Sequence, residues 1–125
     1  MKVLIDSSVW VAYFRGVGDV TTVDWLIEEG LVVINDLILA ELSPPLLVRG
    51  ESKLVGILRE IEFVPLVVDW NGIIEMQVTC LRNGVNKVGI PDLIIAQQAI
   101  ENNLSLFSLD KHFAFLSKHM PLNLH

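Results

Sequence analysis

Four acidic residues of this chain stand among apolar neighbours instead of on polar helix faces. Asp6 follows Val-Leu-Ile and Asp110 follows Leu-Phe-Ser-Leu, Glu41 lies within Leu-Ile-Leu-Ala-Glu-Leu, and Asp92 opens Asp-Leu-Ile-Ile-Ala. A carboxylate without a partner is costly to ionise in such surroundings, so several that meet in one place require protons or cations. These four residues are therefore the candidates for chemistry.

A hard divalent cation suits a cluster of carboxylates, because Mg²⁺ prefers about six oxygen ligands and keeps several waters. Zinc is not indicated, since His112, His119 and His125 have no paired cysteines and Cys80 is the only cysteine. A carboxylate site without an activated Ser or Cys suits metal-assisted hydrolysis of a phosphodiester. In that reaction the ion activates a water and neutralises charge developing on the phosphate.

Short apolar, β-branched runs alternate with amphipathic stretches along the chain. The predicted strands are Val3–Ile5, Leu31–Ile34, Phe63–Val68, Val88–Ile90 and Leu104–Leu109. The predicted helices run from Ser8 to about residue 15, and over Asp19–Glu29, Leu37–Leu42, Glu51–Ile61, about 70–82, Asp92–Glu101 and about 111–118, before an extended tail from Pro121. We expect Pro44 and Pro45 to stop the third helix or to kink it.

This alternation predicts an α/β fold: one domain over residues 1–125, with three α/β/α layers and a central, mainly parallel sheet of about five short strands. The carboxyl ends of parallel strands lie on one edge of the sheet, where open α/β sheets place their ligand crevice. Asp6 and Asp110 end the first and last predicted strands, while Glu41 and Asp92 follow the second and fourth. We therefore expect the four acids to converge at that edge.

Taken singly, three of these acids have a plainer interpretation. Asp6 or Asp110 could cap the helix that follows it, and Asp92 after Pro91 is a natural residue for a first helical turn. Glu41 is too far from either end of its helix to act as a cap. A metal site is therefore indicated by the four residues together and not by any one of them.

The composition narrows the class of protein. A hydrophobic fraction of 52% is high, yet no run of about 18 apolar residues indicates a membrane span, and no signal peptide is evident. The single Cys80 lies in an apolar helix, which predicts a core residue and is compatible with the reducing cytoplasm. The net charge of -6 argues against nucleic-acid binding through a general basic surface, but not against an enzyme that reaches phosphates through bound metal ions.

The ordered set of acids resembles the PIN-domain ribonucleases, most closely the VapC toxins of VapBC-type toxin–antitoxin pairs. The family motifs are matched by Leu-Ile-Asp-Ser-Ser-Val-Trp at Asp6, Leu-x-Leu-Ala-Glu-Leu at Glu41, Asp-x-x-Ile-Ala at Asp92 and Asp-x-x-Phe at Asp110. The match extends from residue 3 to about residue 116. Some relatives carry another acid two residues after the fourth one, where this chain has His112.

The resemblance implies an endoribonuclease that depends on Mg²⁺ or Mn²⁺, is often dimeric and is neutralised by a cognate antitoxin. It implies that the four acids hold the metal, that a metal-activated water attacks the phosphate in line, and that the Ser8 hydroxyl supports Asp6. Basic residues are candidates for RNA contacts: Arg15, Arg49, Lys53, Arg82, Lys87 and Lys111. Trp10, Tyr13 and Phe14 are candidates for an apolar groove that binds an antitoxin or a second subunit, although core packing is expected for at least two of them.

Other functional classes fit the residues less well. A receiver domain would normally have an acidic pair after the first strand, where this chain has Asp6-Ser7. A haloacid-dehalogenase-like phosphatase would have a second Asp at the position of Ser8. The remaining alternative is a catalytically degenerate PIN-like module that functions in binding or oligomerisation.

Overall fold

The sheet contains five short strands, all parallel. The structure, a computed structural model, describes all 125 residues. The strands are β1 (Val3–Ile5), β2 (Val32–Ile34), β3 (Glu62–Phe63), β4 (Ser105–Phe107) and β5 (Asn123–Leu124), in the order β3-β2-β1-β4-β5. Each neighbouring pair is parallel, with Val3 opposite both Val32 and Ser105.

Seven helices connect and cover the strands. They are α1 (Ser7–Phe14), α2 (Val20–Glu28), α3 (Asp36–Val48), α4 (Ser52–Arg59), α5 (Trp70–Arg82), α6 (Ile90–Glu101) and α7 (His112–His119). Helix α3 packs on α1 and α4, while α6 packs on α5 and α7. The predicted three-layer α/β/α architecture is confirmed. None of these helices combines the length and the apolar character that crossing a bilayer requires.

The core is built around the central strand β1, its neighbour β2 and helix α6. Every residue of β1 and β2 is buried, which explains why both read as unbroken apolar runs. Helix α6 is buried over most of its circumference, with Leu93, Ile95 and Ala96 at 1% exposure or less. The edge strands β3 and β5 are exposed, so they carry little apolar signal in the sequence.

The strand order places a topological switch point between β1 and β4. From β1 the chain builds outward through β2 to β3, and it then crosses to the other side of β1 for β4 and β5. In open parallel sheets the crevice at such a point is where ligands bind. Asp6 directly follows β1, and Asp110 comes three residues after the end of β4.

The predicted strand over Val88–Ile90 is wrong. Gly89 is the extended N-cap residue of α6, Ile90 already begins that helix, and Pro91 lies in its first turn. Proline fixes a helical φ and lacks the N–H that a strand interior needs, so it favours the helix start. Asp92 therefore reaches the site from the first turn of a helix. The tail, predicted to be extended, supplies the fifth strand by pairing with β4.

Helix α3 is longer than predicted, because it continues through Pro44 and Pro45 to Val48. Each proline removes one N–H from the helical ladder. The carbonyls that lose these partners belong to Ala40 and Glu41, four residues earlier, and both residues are exposed. Leu42 and Leu46 are buried four residues apart across the pair, and their burial keeps the segment helical. The third strand is also shorter than the predicted Phe63–Val68, because β3 contains only Glu62 and Phe63 and ends before Pro65.

A buried polar contact joins α3 to α6. The Asn35 Oδ1 atom accepts the Ile38 N–H at 2.9 Å and so caps α3, while its Nδ2 donates to the Gln98 Oε1 atom of α6. Gln98 in turn donates from Nε2 to the Pro65 carbonyl at 2.8 Å. Asn35 and Gln98 are 0% and 2% exposed, so these bonds are sealed from water. The contact fixes the two helices that carry Glu41 and Asp92.

We expect Asn35→Ala to lower the free energy of unfolding by about 2–3 kcal/mol, because it removes a cap and leaves buried partners unpaired. Asp19→Ala is the matched control, since Asp19 caps α2 through the Thr22 N–H at an exposed position. That control should cost about 1 kcal/mol. Urea denaturation measures both values, and equal losses would contradict a special role for the buried contact.

Candidate metal centre

Asp6 is a buried carboxylate held by two hydroxyl groups. It is 5% exposed, and its Oδ2 atom accepts hydrogen bonds from Ser8 Oγ and Ser108 Oγ, both at 2.8 Å. Its backbone occupies the N-cap position of α1, but its side chain makes no capping hydrogen bond. The simple cap interpretation therefore does not describe the Asp6 side chain.

The same two hydroxyls fasten the segment that follows β4. Ser8 Oγ accepts the Leu109 N–H and Ser108 Oγ accepts the Asp110 N–H, each at 3.0 Å. The carboxylate after β1 and the backbone before Asp110 are thus held as one unit. Sequence reasoning missed Ser108, whose only signal is a polar residue in the Leu-Phe-Ser-Leu run at the end of a strand.

Asp92, Asp110 and His112 form the tightest group of possible ligands. One atom from each side chain lies within 4.8 Å of the other two. The His112 Nδ1 atom is 3.3 Å from Asp110 Oδ1 and 3.7 Å from Asp92 Oδ2. Asp110 Oδ1 also accepts the His112 N–H at 2.9 Å, so Asp110 helps to start α7 as well. Asp6 and Glu41 lie outside this tight group.

Glu41 projects from the middle of α3 and is affected by the charges of the other acids. Desolvation is the largest cause that raises the pKa of Glu41, followed by the negative charges of Asp6 and Asp92. A hydrogen bond from Ser7 acts in the opposite direction. Glu41 therefore belongs to the same electrostatic cluster.

Asp92 has the same kind of environment. Desolvation raises the pKa of Asp92 most, and the charges of Asp110 and Asp6 raise it further, while His112 lowers it. Its side chain is 27% exposed. The structure thus brings all four predicted acids together at the carboxyl edge of the sheet, where their like charges repel one another.

The donor set fits a divalent cation. Carboxylate oxygens arrive from four separate elements, and for Glu41 and Asp92 desolvation combined with like charge makes the ionised form unfavourable without a positive partner. Such oxygens are the ligands that Mg²⁺ and Mn²⁺ take, and Mn²⁺ also accepts imidazole. Asp6, Glu41, Asp92 and Asp110 could hold such an ion, with His112 beside them.

Two of the six candidate basic residues lie beside Glu41. Arg15 and Arg49 line a cavity of about 140 Å³ that Glu41 also lines, between α1, α3 and α4. Lys111 directly follows Asp110 in the chain. Lys53, Arg82 and Lys87 are exposed. None of the six is ion-paired, since the ion-pair contacts of the chain involve Lys2 with Glu62 and His112 with two aspartates.

The remaining candidates lie in or against the core. Trp10 is 2% exposed, while Tyr13 and Phe14 are half-buried and packed against the core, and Phe14 also lines the cavity beside Glu41. Cys80 is fully buried on α5, and burial raises the pKa of its thiol. A thiol in that state is a packing residue, as the sequence predicted.

The raised pKa values make the metal-free protein less stable as the pH rises. Between the unfolded and the folded pKa of Glu41 or Asp92, the folded state holds more protons, so the free energy of unfolding falls through that window and stays lower above it. With chelator present, we expect Asp92→Asn to raise Tm at pH 7 and to give no gain near pH 3.5. Thermal denaturation across this pH range measures the difference.

Asp36→Asn is the matched control, because Asp36 is an exposed acid in the first turn of α3. It tests whether any loss of negative charge helps a chain of net charge -6. A similar gain in both variants, or a lower Tm for Asp92→Asn at every pH, would contradict the repulsion described above.

Solved structures with the same fold come from several bacterial complexes. One is a chain of VapBC2 from Rickettsia felis, a complex solved with a DNA fragment from the VapBC2 promoter. It gives a TM-score of 0.76 at 22% identity, and the alignment covers 100% of this chain and 98% of that one. VapBC-1 from nontypeable Haemophilus influenzae gives 0.75 at 15% identity, covering 100% and 97%. FitAcB from Neisseria gonorrhoeae gives 0.72 at 18% identity, covering 98% and 95%.

These similarities establish the fold, because the identities are too low to carry more. No curated protein sequence shows significant similarity to the chain. The sequence of residues 3–118, however, matches the PIN domain family. That range contains all four acids as well as Ser8, Ser108 and His112. The chain therefore belongs to the PIN domain family.

Proposed function

We propose that this chain is a divalent-metal-dependent endoribonuclease and the toxin of a type II toxin–antitoxin pair. The observation that carries the proposal is the convergence of four carboxylates at the switch point of the sheet, two of them with pKa values raised by burial and by the others. Structural and cap roles do not account for such crowding, whereas a bound cation offsets it. Membership of the PIN domain family and the VapBC-like fold support the same function.

Asp6, Glu41, Asp92 and Asp110 would hold Mg²⁺ or Mn²⁺ in this proposal. When bound, the ion supplies charge neutralisation at the scissile phosphate and makes a water more acidic. Ser8 and Ser108 orient Asp6, because their hydroxyls fix one carboxylate oxygen and leave Oδ1 without a protein hydrogen bond.

Arg15 and Arg49 are the best placed of the basic residues to bind the RNA backbone. Both lie on the cavity that contains Glu41, and neither guanidinium is paired with a carboxylate. The chain is acidic overall, so local positive charge beside the site is needed to bring a polyanion close. RNA, in preference to DNA, is proposed from the family resemblance, and a DNA substrate is therefore an arm of the test.

An antitoxin protein is the proposed partner. The structures with this fold come from VapBC and FitAcB assemblies, which supports a partner protein for this chain as well. The high apolar fraction and the number of large exposed apolar side chains are consistent with a surface that a partner covers. A cytoplasmic location, where RNA and an antitoxin would meet the chain, goes with this proposal.

We expect the purified chain to cleave RNA with Mg²⁺ or Mn²⁺ and to lose this activity when a chelator is added. Asp6→Asn and Asp92→Asn should each lower the rate by about 100-fold or more, because even residues that only orient metal ligands are worth about 10–100-fold. Electrophoresis of a defined RNA, beside the matching DNA, measures cleavage. Expression of the wild type alone should arrest growth of a bacterial host.

Asp36→Asn serves as the matched control and should cleave at the wild-type rate. Cleavage that survives chelation, or that proceeds at the wild-type rate in Asp6→Asn and Asp92→Asn, would contradict the mechanism. If calorimetry finds no divalent-ion binding by the folded chain, the degenerate binding module becomes the better description.

The homodimer that the family resemblance implies needs an apolar contact face, and α5 offers one. Trp70, Ile74, Val78 and Leu81 follow helical spacing along one side of α5 and are 38–61% exposed. A continuous apolar stripe of this kind is unusual on the open surface of a monomer. We propose that a second copy of the chain covers it.

We expect Ile74→Glu to weaken this dimer by about tenfold or more, because a buried charge without a partner replaces an apolar contact. Ile57→Glu is the matched control, since Ile57 on α4 is 58% exposed, against 61% for Ile74. Light scattering on a size-exclusion column reports the mass against 14.0 kDa for one chain. A dimer lost in Ile57→Glu but retained in Ile74→Glu would assign a different face.

A further inference from the structure

The His112 side chain points its Nδ1 atom into the acidic cluster. That atom is buried and has no hydrogen-bond partner. It lies 3.3 Å from Asp110 Oδ1 and 3.7 Å from Asp92 Oδ2. A well-formed N–H···O bond measures about 2.7–3.2 Å, so neither carboxylate accepts a regular hydrogen bond from it.

The position of this imidazole is set by the fold. The His112 N–H donates to Asp110 Oδ1 at the start of α7, and the next residue, Phe113, is 1% exposed in the core. His112 is thus anchored on both sides along the chain. The other histidines are placed differently, since His119 packs against Phe115 and His125 against Phe107.

A cation bound between the three side chains would give the His112 Nδ1 atom a partner and would offset the negative charges of Asp92 and Asp110. Ligand atoms on one octahedral ion with bonds of about 2.1 Å lie about 3 Å apart when adjacent and about 4.2 Å apart when opposite. The atoms of Asp92, Asp110 and His112 lie within 4.8 Å of one another, which is close to that range.

We infer that His112 is itself a ligand of the metal ion, so that a nitrogen completes the set of carboxylate oxygens. This inference rests on the metal site of the proposed function. Imidazole is a softer ligand than carboxylate and suits transition metals better than Mg²⁺. The site should therefore favour Mn²⁺ over Mg²⁺ more strongly than a site made only of oxygen ligands.

The experiment is pulsed electron paramagnetic resonance of Mn²⁺ bound to the untagged full chain, which detects the nuclear spin of a coordinated nitrogen. We expect imidazole nitrogen coupling in the wild type and in His119→Asn and His125→Asn, and none in His112→Asp. Competition titration should show that His112→Asp lowers the ratio of Mn²⁺ to Mg²⁺ affinity by about tenfold or more.

The outcomes separate this inference from the proposed function. Bound Mn²⁺ without nitrogen coupling in the wild type overturns the role of His112 and leaves the carboxylate site intact. Folded wild-type chain that binds no Mn²⁺ overturns the metal site, and the proposed function with it. If His112→Asp does not fold, the double variant His119→Asn/His125→Asn still decides the question, because the chain has three histidines and coupling that survives the loss of these two belongs to His112.

Discussion

The Asp6 carboxylate is held by hydroxyls from the segments that follow two neighbouring strands, β1 and β4, and the geometry of the cluster depends on these hydrogen bonds. Ser8 and Ser108 each use the hydroxyl twice, donating to Asp6 and accepting a backbone N–H from the segment before α7. The ends of β1 and β4 are thereby held together without a side chain of opposite charge. A hydroxyl can do this because it is both donor and acceptor.

The fold tolerates like charges at close range because the elements that carry the acids are anchored elsewhere in the molecule. Asp6 approaches from β1, Asp92 from α6 and Glu41 from α3, and each element is anchored by buried apolar residues some distance from the acids. Core burial on both sides of the sheet, together with the Asn35–Gln98 contact, offsets the repulsion at the edge. The electrostatic repulsion within the cluster is therefore unfavourable, and the rest of the molecule offsets it, as is common at functional sites.

Some features of the fold and of the site can be predicted from the sequence and others cannot, depending on whether a local pattern of residues encodes them. Strand β1 and the convergence of the four acids follow from an unbroken apolar run and from the rule that parallel strands end at one edge. The false strand at Val88–Ile90 arose because three residues carry too little periodicity to outweigh Pro91 as a helix starter. Helix α3 passes Pro44 and Pro45 because Leu42 and Leu46 are buried, and burial is a tertiary effect that local rules omit. Ser108 and the orientation of His112 depend on contacts between distant parts of the chain, which no local pattern encodes.

The proline pair in α3 also affects how the site can move. Two consecutive residues without an N–H leave the helix short of two hydrogen bonds, so bending there costs less than elsewhere along it. Glu41 precedes this soft joint and Arg49 follows it, and both line the same cavity. Flexing of α3 at this pair would therefore change the distance between the Glu41 carboxylate and the Arg49 guanidinium across the cavity.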